Sequence, residues 1–121
     1  MKTMKTVILV VEDDPLLRLA AIDMVEDAGF EAIEASNATE AVRILERRLD
    51  IRIVFTDVDM PGGMDGVRLA ALIRDRWPPI AIIVTSGQVH ADDVSLPSGS
   101  LFFPKPYREA EIVGAFRHVS A

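Results

Sequence analysis

Residues 53–66 decide the fold, and they read Ile53-Val54-Phe55-Thr56-Asp57-Val58-Asp59-Met60-Pro61-Gly62-Gly63-Met64-Asp65-Gly66. The first four residues carry no charge and are mostly β-branched or aromatic, which predicts a buried strand. This strand runs directly into Asp57, and a turn rich in proline and glycine follows before a helical pattern begins near Asp65. Open α/β folds place their chemistry at the carboxyl ends of strands. We therefore take Asp57 as the centre of a candidate functional site.

Strand and helix patterns alternate along the rest of the chain. The other predicted strands are Val7–Val11, Glu31–Ala35, Ile80–Val84 and Leu101–Phe103. The predicted helices are Pro15–Ala28 after an Asp14 N-cap, Ala38–Leu45, about Asp65–Ile73 before Trp77-Pro78-Pro79, and Ala110–Val119. The segment Gly87–Ser100 contains a proline, two glycines and three serines, so we expect an irregular connection with at most one or two helical turns.

This alternation predicts a doubly wound α/β domain that spans residues 1–121. We expect a five-stranded parallel sheet with helices on both faces and the strand order 2-1-3-4-5, a flavodoxin-like arrangement. The second strand alternates polar and apolar residues, as an edge strand does, and right-handed crossovers fix the remaining order.

Composition excludes several function classes. The chain has 121 residues, a formal net charge of −6 and no cysteine. The absence of cysteine excludes disulfides and thiolate metal sites, and the negative charge argues against direct binding of nucleic acid. No apolar run approaches the ~20 residues of a membrane span, and Val7–Val11 is too short for a signal peptide. We therefore expect a cytoplasmic protein without a membrane partner.

Five polar side chains follow the ends of the predicted strands. They are Glu12, Asp13, Asp57, Ser86 and Lys105. Because all strands of a parallel sheet end at one edge, we expect these side chains to lie together. Clustered carboxylates repel one another and require a cation, and oxygen ligands without histidine or cysteine favour Mg²⁺. A lysine and a hydroxyl opposite the metal could then hold the oxygens of a phosphoryl group.

The same residues resemble a known family. The matching motifs are Val10-Val11-Glu12-Asp13-Asp14, the strand through Asp57, Met60-Pro61 followed by Met64-Asp65-Gly66, Ser86-Gly87, and Lys105-Pro106-Tyr107. Their order and spacing resemble the receiver domain of two-component response regulators over essentially the whole chain. Each motif alone is weak, but five in this order are highly specific.

The resemblance implies a role for each site residue. Asp57 would accept a phosphoryl group from a histidine kinase, and Lys105 would pair with that group. Mg²⁺ would be bound by Asp13, Asp57 and the backbone carbonyl of Asp59, with Glu12 acting through water. Ser86 would be the switch hydroxyl and Phe102 the switch aromatic residue. The side chains that resemble the tuners of dephosphorylation are those of Asp59 and Gln88.

Two features depart from the common receiver pattern, and several alternatives stay open. The loop Met60–Gly66 is one residue longer than usual, and the segment that normally forms a fourth helix is shortened. Thr85 competes with Ser86 for the hydroxyl role, and Phe102 is alternatively a simple core residue. Asp14 and Asp65 are predicted helix caps, and the two histidines, His90 and His118, are predicted surface residues.

The predicted function is a stand-alone, non-enzymatic receiver whose phosphorylation changes the binding of an output partner. A relay receiver that passes its phosphoryl group to a histidine phosphotransfer protein is a variant of this reading. The pair Asp57 and Asp59 also resembles the first motif of haloacid-dehalogenase-type phosphohydrolases, although the chain leaves little room for that fold. A receiver that binds by shape alone is disfavoured, because all the phosphorylation residues are present.

Overall fold

The computed structural model describes residues 5–60, 63–87 and 95–121. Its strands form one parallel sheet of five strands with the order β2-β1-β3-β4-β5, which confirms the predicted topology. The strands are β1 (Val7–Val11), β2 (Glu31–Ala35), β3 (Ile51–Asp57), β4 (Ala81–Ser86) and β5 (Leu101–Pro104). The described helices are α1 (Pro15–Asp27), α2 (Ala38–Arg47), α3 (Gly66–Arg76) and α4 (Glu109–Ser120).

Burial follows the sequence patterns that predicted the strands. All five residues of β1 are buried, as its unbroken apolar sequence requires for a strand covered on both faces. In β2 the glutamates at both polar positions are exposed, which fits its place at the edge of the sheet. The third strand begins two residues earlier than predicted, because Ile51 is buried and pairs with Val7 although the exposed Arg52 interrupts the apolar run.

Two hydrophobic layers cover the sheet. On one face, α2 and α3 pack through residues that include Leu45, Leu69 and Ile73. On the other face, α1 and α4 pack through residues that include Met24, Val25 and Phe116. Phe116 is fully buried and makes edge-to-face contacts with Phe30 and Phe55. The doubly wound arrangement predicted from the alternation of elements is thus confirmed.

Polar caps determine where three helices begin. The side chain of Asp14 accepts hydrogen bonds from the first turn of α1, and Asn37 and Asp65 cap α2 and α3 in the same way. Gly29 follows α1 with a positive φ of 92°, a conformation that favours glycine and ends the helix there. These caps confirm the predicted helix starts and the predicted stop.

The predicted irregular connection between β4 and β5 lies mostly outside the described residues, because residues 88–94 are not described. The predictions for Gln88 and His90 fall there as well. His118 lies on α4 and is exposed, as predicted. Within the described part of the chain, none of the helices has the length and apolar character needed to cross a membrane.

Candidate functional site

The carboxyl edge of the sheet brings the predicted site residues together. Glu12 and Asp13 follow β1, Asp57 and Ser86 are the last residues of β3 and β4, and Lys105 follows β5. These residues are far apart in sequence and meet only because the strands are parallel and adjacent. The sheet therefore assembles the predicted cluster.

Asp57 lies at the centre of this edge and is 5% exposed. The ammonium group of Lys105 donates to Oδ2 of Asp57 at 2.7 Å, and the backbone N–H of Asp59 donates to Oδ1 at 3.0 Å. The Lys105 Nζ also lies 3.5 Å from Oε1 of Glu12. Burial alone would lower the pKa of Lys105, but the hydrogen bond and the charge of Asp57 outweigh burial and raise it. The lysine is therefore protonated beside Asp57.

Glu12 is a second buried carboxyl group in the site, with 7% of its surface exposed. Burial raises the pKa of Glu12 from 4.5 to about 7, and Asp13 and the negative charge of Asp57 act in the same direction. The backbone N–H of Asp14 and the charge of Lys105 oppose this rise without cancelling it. Glu12 therefore has no neighbour that fully compensates its negative charge near neutral pH.

The carboxylates form a cluster that fits a hard cation. Oxygen atoms of Glu12, Asp13 and Asp57 all lie within 4.8 Å of one another. Two of these side chains are buried and Asp13 is exposed, so the cluster has both fixed ligands and access to water. Oxygen ligands from a few side chains, completed by water, are the coordination that Mg²⁺ favours in proteins. The observed donor set thus agrees with the predicted metal.

The two candidate hydroxyl groups belong to consecutive residues of β4, and successive side chains of a strand point to opposite faces of the sheet. Thr85 is the register partner of Asp57, is buried, and has no hydrogen-bond partner for its Oγ1 among the residues that the structure describes. Ser86, the next residue, donates from Oγ to Oδ2 of Asp59 at 2.8 Å. The same oxygen accepts from the backbone N–H of Gly87 at 3.2 Å. Sequence reasoning singled out Asp59 but did not predict these contacts.

Phe102 lies in β5 and is half-buried. It packs against the hydrophobic layer that includes α2 and α3, two residues before the last residue of the strand. This position is compatible with a core residue and with an aromatic switch, so its predicted role stays a prediction.

A cavity of about 410 Å³ opens beside Asp57 on the face of the sheet covered by α1. Its lining combines the charged site residues with apolar side chains such as Leu17, Phe55 and Tyr107. Leu17 is exposed and marks the opening towards solvent. The site is therefore bordered on the α1 face by both charged and apolar side chains.

Two residues support the site, and of these only Gly66 was noted in the sequence, as part of the Met64-Asp65-Gly66 motif. Arg18 on α1 donates to the backbone carbonyl of Glu12 at 2.9 Å and to the Glu34 carboxylate at 3.2 Å. Gly66 begins α3 directly against β3, because a Cβ at this position would lie only 2.2 Å from the carbonyl oxygen of Asp57. Its N–H also donates to the carbonyl of Val58. Gly66 therefore allows α3 to touch the backbone that carries Asp57.

Known proteins resemble this chain in sequence and in structure. FleR, a response regulator protein of Pseudomonas aeruginosa, is 35% identical over 103 residues, which are 83% of this chain and 21% of FleR. Against eight curated relatives that it matches, FleR among them, the chain spans 11% to 46% of their length.

Solved structures give the same result. A response regulator receiver protein from Sinorhizobium medicae is 26% identical, with a TM-score of 0.86 and coverage of 95% of this chain and 94% of that one. The response regulator TrrA of Thermotoga maritima, solved in complex with Mg(2+)-BeF, is 25% identical with a TM-score of 0.86, covering 94% of this chain and 98% of that one. The sequence model of the response regulator receiver domain family matches residues 8–117 of this chain. The chain therefore belongs to the response regulator receiver domain family and is a phosphorylation-controlled signalling domain.

Proposed function

We propose that Asp57 accepts a phosphoryl group from a phosphohistidine of a histidine kinase or of a phosphotransfer protein. One observation carries this proposal. The buried carboxylate of Asp57 lies 2.7 Å from the protonated amine of Lys105 and belongs to the carboxylate cluster of Glu12 and Asp13. The buried acceptor, the cation and the cluster of oxygen ligands are the parts that phosphoryl transfer requires.

In this transfer, the bond that forms on Asp57 would be matched by a bond that breaks in the donor. One carboxylate oxygen of Asp57 forms a bond to phosphorus while the phosphorus–nitrogen bond of the donor breaks. The electron pair of the broken bond stays on the imidazole nitrogen, which then takes up a proton. Lys105 keeps its proton throughout and offsets the negative charge of the phosphoryl oxygens, since it lies beside both Asp57 and Glu12.

The cluster would hold Mg²⁺ through Asp13, Asp57, the backbone carbonyl of Asp59 and, by way of water, Glu12. When bound, the ion would supply positive charge against the phosphoryl oxygens and the carboxylates. The structure of TrrA with Mg(2+)-BeF supports this assignment by similarity. The three carboxylates of the cluster support it independently of any relative.

The charge change on Asp57 would be transmitted by nearby residues to an output partner. Ser86 would donate its hydroxyl to the phosphoryl group, and Phe102 would respond from the neighbouring strand, since Val84 and Phe102 are register partners. Gln88 would influence the lifetime of the phosphoryl group. We propose that the domain regulates through this altered binding and not through turnover of its own.

The contacts of Asp59 favour a receiver over a phosphohydrolase. A general acid must present a proton to the leaving group, but Oδ2 of Asp59 accepts hydrogen bonds from Ser86 and from Gly87. The carboxylate is thus engaged as an acceptor on the side of β4. This arrangement does not resemble that of an acid poised over Asp57.

The proposal is tested by incubation with acetyl phosphate and Mg²⁺, followed by measurement of the intact mass. Wild-type protein should gain the mass of one phosphoryl group, and Asp57→Asn should gain none. Asp75→Asn is the matched control, because Asp75 is an exposed residue of α3 outside the site. The assignment is wrong if Asp57→Asn is labelled as fully as the control, or if wild-type labelling is unaffected by removal of Mg²⁺.

A further inference from the structure

Asp59 connects the loop after β3 to the end of β4 through its side chain. Its Oδ2 accepts the hydroxyl of Ser86 at 2.8 Å and the backbone N–H of Gly87 at 3.2 Å. Its own backbone N–H donates to Oδ1 of Asp57 at 3.0 Å. Asp59 therefore contacts both the phosphoacceptor and the residue predicted to respond to phosphorylation.

These contacts conflict with the role of Ser86 in the phosphorylated domain. A serine hydroxyl has a single proton to donate. In the structure Ser86 donates this proton to Asp59, so the same proton cannot be donated to a phosphoryl oxygen on Asp57. The bond between Ser86 and Asp59 must break before Ser86 engages the phosphoryl group.

Charge makes this bond sensitive to phosphorylation. The carboxylate of Asp59 is a charged acceptor, and hydrogen bonds to charged acceptors are roughly twice as strong as neutral ones. A phosphoryl group on Asp57 would place further negative charge near the side chain of Asp59, since the backbone N–H of Asp59 donates to Oδ1 of Asp57. Repulsion between the like charges would push the Asp59 carboxylate away and release the Ser86 hydroxyl.

We propose that Asp59 is a positioning residue that holds the Ser86 hydroxyl away from Asp57 in the unphosphorylated domain. This inference rests on the proposed function of Asp57 and Ser86. The contact acts as a latch: it opposes switching until the phosphoryl charge displaces Asp59. The latch lowers the affinity of the site for the phosphoryl group and keeps the inactive arrangement dominant when Asp57 is unmodified.

The first test concerns the latch in the unmodified protein. Amide hydrogen exchange is measured for Gly87 in wild type, Asp59→Asn and Asp59→Ala. Exchange should be fastest in Asp59→Ala, because Gly87 loses its acceptor, and intermediate in Asp59→Asn, which keeps a neutral acceptor. Equal exchange in all three proteins would show that the latch is not formed.

The second test concerns positioning and uses beryllofluoride with Mg²⁺ as a phosphoryl mimic, followed by fluorine NMR. Asp59→Ala should bind beryllofluoride more tightly than wild type, by at least about tenfold, as expected for release of a hydrogen bond to a charged acceptor. In a Ser86→Ala background there is no hydroxyl to release, so Asp59→Ala removes only the negative charge of Asp59. Its gain in beryllofluoride affinity should then be about tenfold smaller than in the background that retains Ser86.

The outcomes separate the latch from the proposed function. Equal gains in both backgrounds would contradict the latch and leave only charge repulsion by Asp59. If Asp59→Ala does not increase the affinity for beryllofluoride in either background, both the latch and the charge repulsion by Asp59 are contradicted. If wild type binds no beryllofluoride, or if Asp57→Asn binds it equally well, the proposed function fails and the latch fails with it.

Discussion

Replacing Gly66 by alanine tests whether the start of α3 fixes the position of Asp57. The added Cβ would lie 2.2 Å from the Asp57 carbonyl oxygen, 2.8 Å from the Val58 Cα and 2.9 Å from the Asp57 carbonyl carbon. Real Cβ contacts are essentially never shorter than 3.0 Å. All three atoms belong to the backbone, so no side-chain rotation relieves the overlap, and α3 and the end of β3 must separate by roughly 1 Å.

We expect Gly66→Ala to lower the free energy of unfolding by about 1–3 kcal/mol, the usual cost of overpacking. Gly114→Ala is the matched control, because Gly114 lies in α4 and a Cβ there meets nothing within 4 Å. This control should be more stable than wild type by about 0.5–1 kcal/mol, since alanine is the better helix former. The two substitutions are chemically identical and are expected to have opposite signs.

Urea unfolding measures both variants, and labelling with acetyl phosphate provides a functional readout. In Gly66→Ala the displaced Asp57 should be labelled more slowly than in wild type, under conditions where both proteins are folded. Labelling of Gly114→Ala should be unchanged. A Gly66→Ala protein as stable as the control, with normal labelling, would refute the close approach of α3 to β3.

Four further substitutions and one control variant test the site. Asp14→Ala should lower the free energy of unfolding by about 1 kcal/mol, because it removes the cap of α1, but its melting temperature should still rise when Mg²⁺ is added. In Asp13→Ala, which loses a ligand of the carboxylate cluster, the melting temperature should no longer rise with Mg²⁺. Thermal unfolding with and without Mg²⁺ measures both effects. Lys105→Met should be labelled more slowly than a Lys5→Met control. Because the pKa of Glu12 is raised from 4.5 to about 7, the folded state retains a proton that the unfolded chain has released. The free energy of unfolding should therefore fall as pH rises across that range in metal-free buffer, and Glu12→Gln should flatten the decline in urea titrations.

The sheet and the gathering of the site were predictable because both depend on patterns along the chain. The unbroken apolar run Val7–Val11 and the alternation in Glu31–Ala35 distinguish a central strand from an edge strand. Once the strands are parallel, the residues after them share one edge regardless of their separation in sequence. The sequence alone therefore predicts that Glu12, Asp57 and Lys105 lie together, and the structure places the Lys105 amine beside both carboxylates.

The supporting contacts were not predictable, because they depend on distances between separate elements. Arg18 is an ordinary charged residue of α1, and only the packing of α1 beside β2 brings it to the carbonyl of Glu12 and to Glu34. The need for glycine at position 66 arises from the approach of α3 to β3 and not from an unusual φ. The contact between Asp59 and Ser86 likewise joins the loop after β3 to the end of β4, which no local pattern relates.

Chemical location of the phosphoryl group tests the central claim most directly. Borohydride reduces an aspartyl phosphate to homoserine, so reduction after labelling with acetyl phosphate and Mg²⁺ marks the modified residue for peptide sequencing by mass spectrometry. We expect homoserine at position 57, the buried carboxylate beside Lys105. Homoserine at position 13 or 59 instead, or a labelled protein without homoserine, would contradict the assignment of Asp57 as the phosphoacceptor.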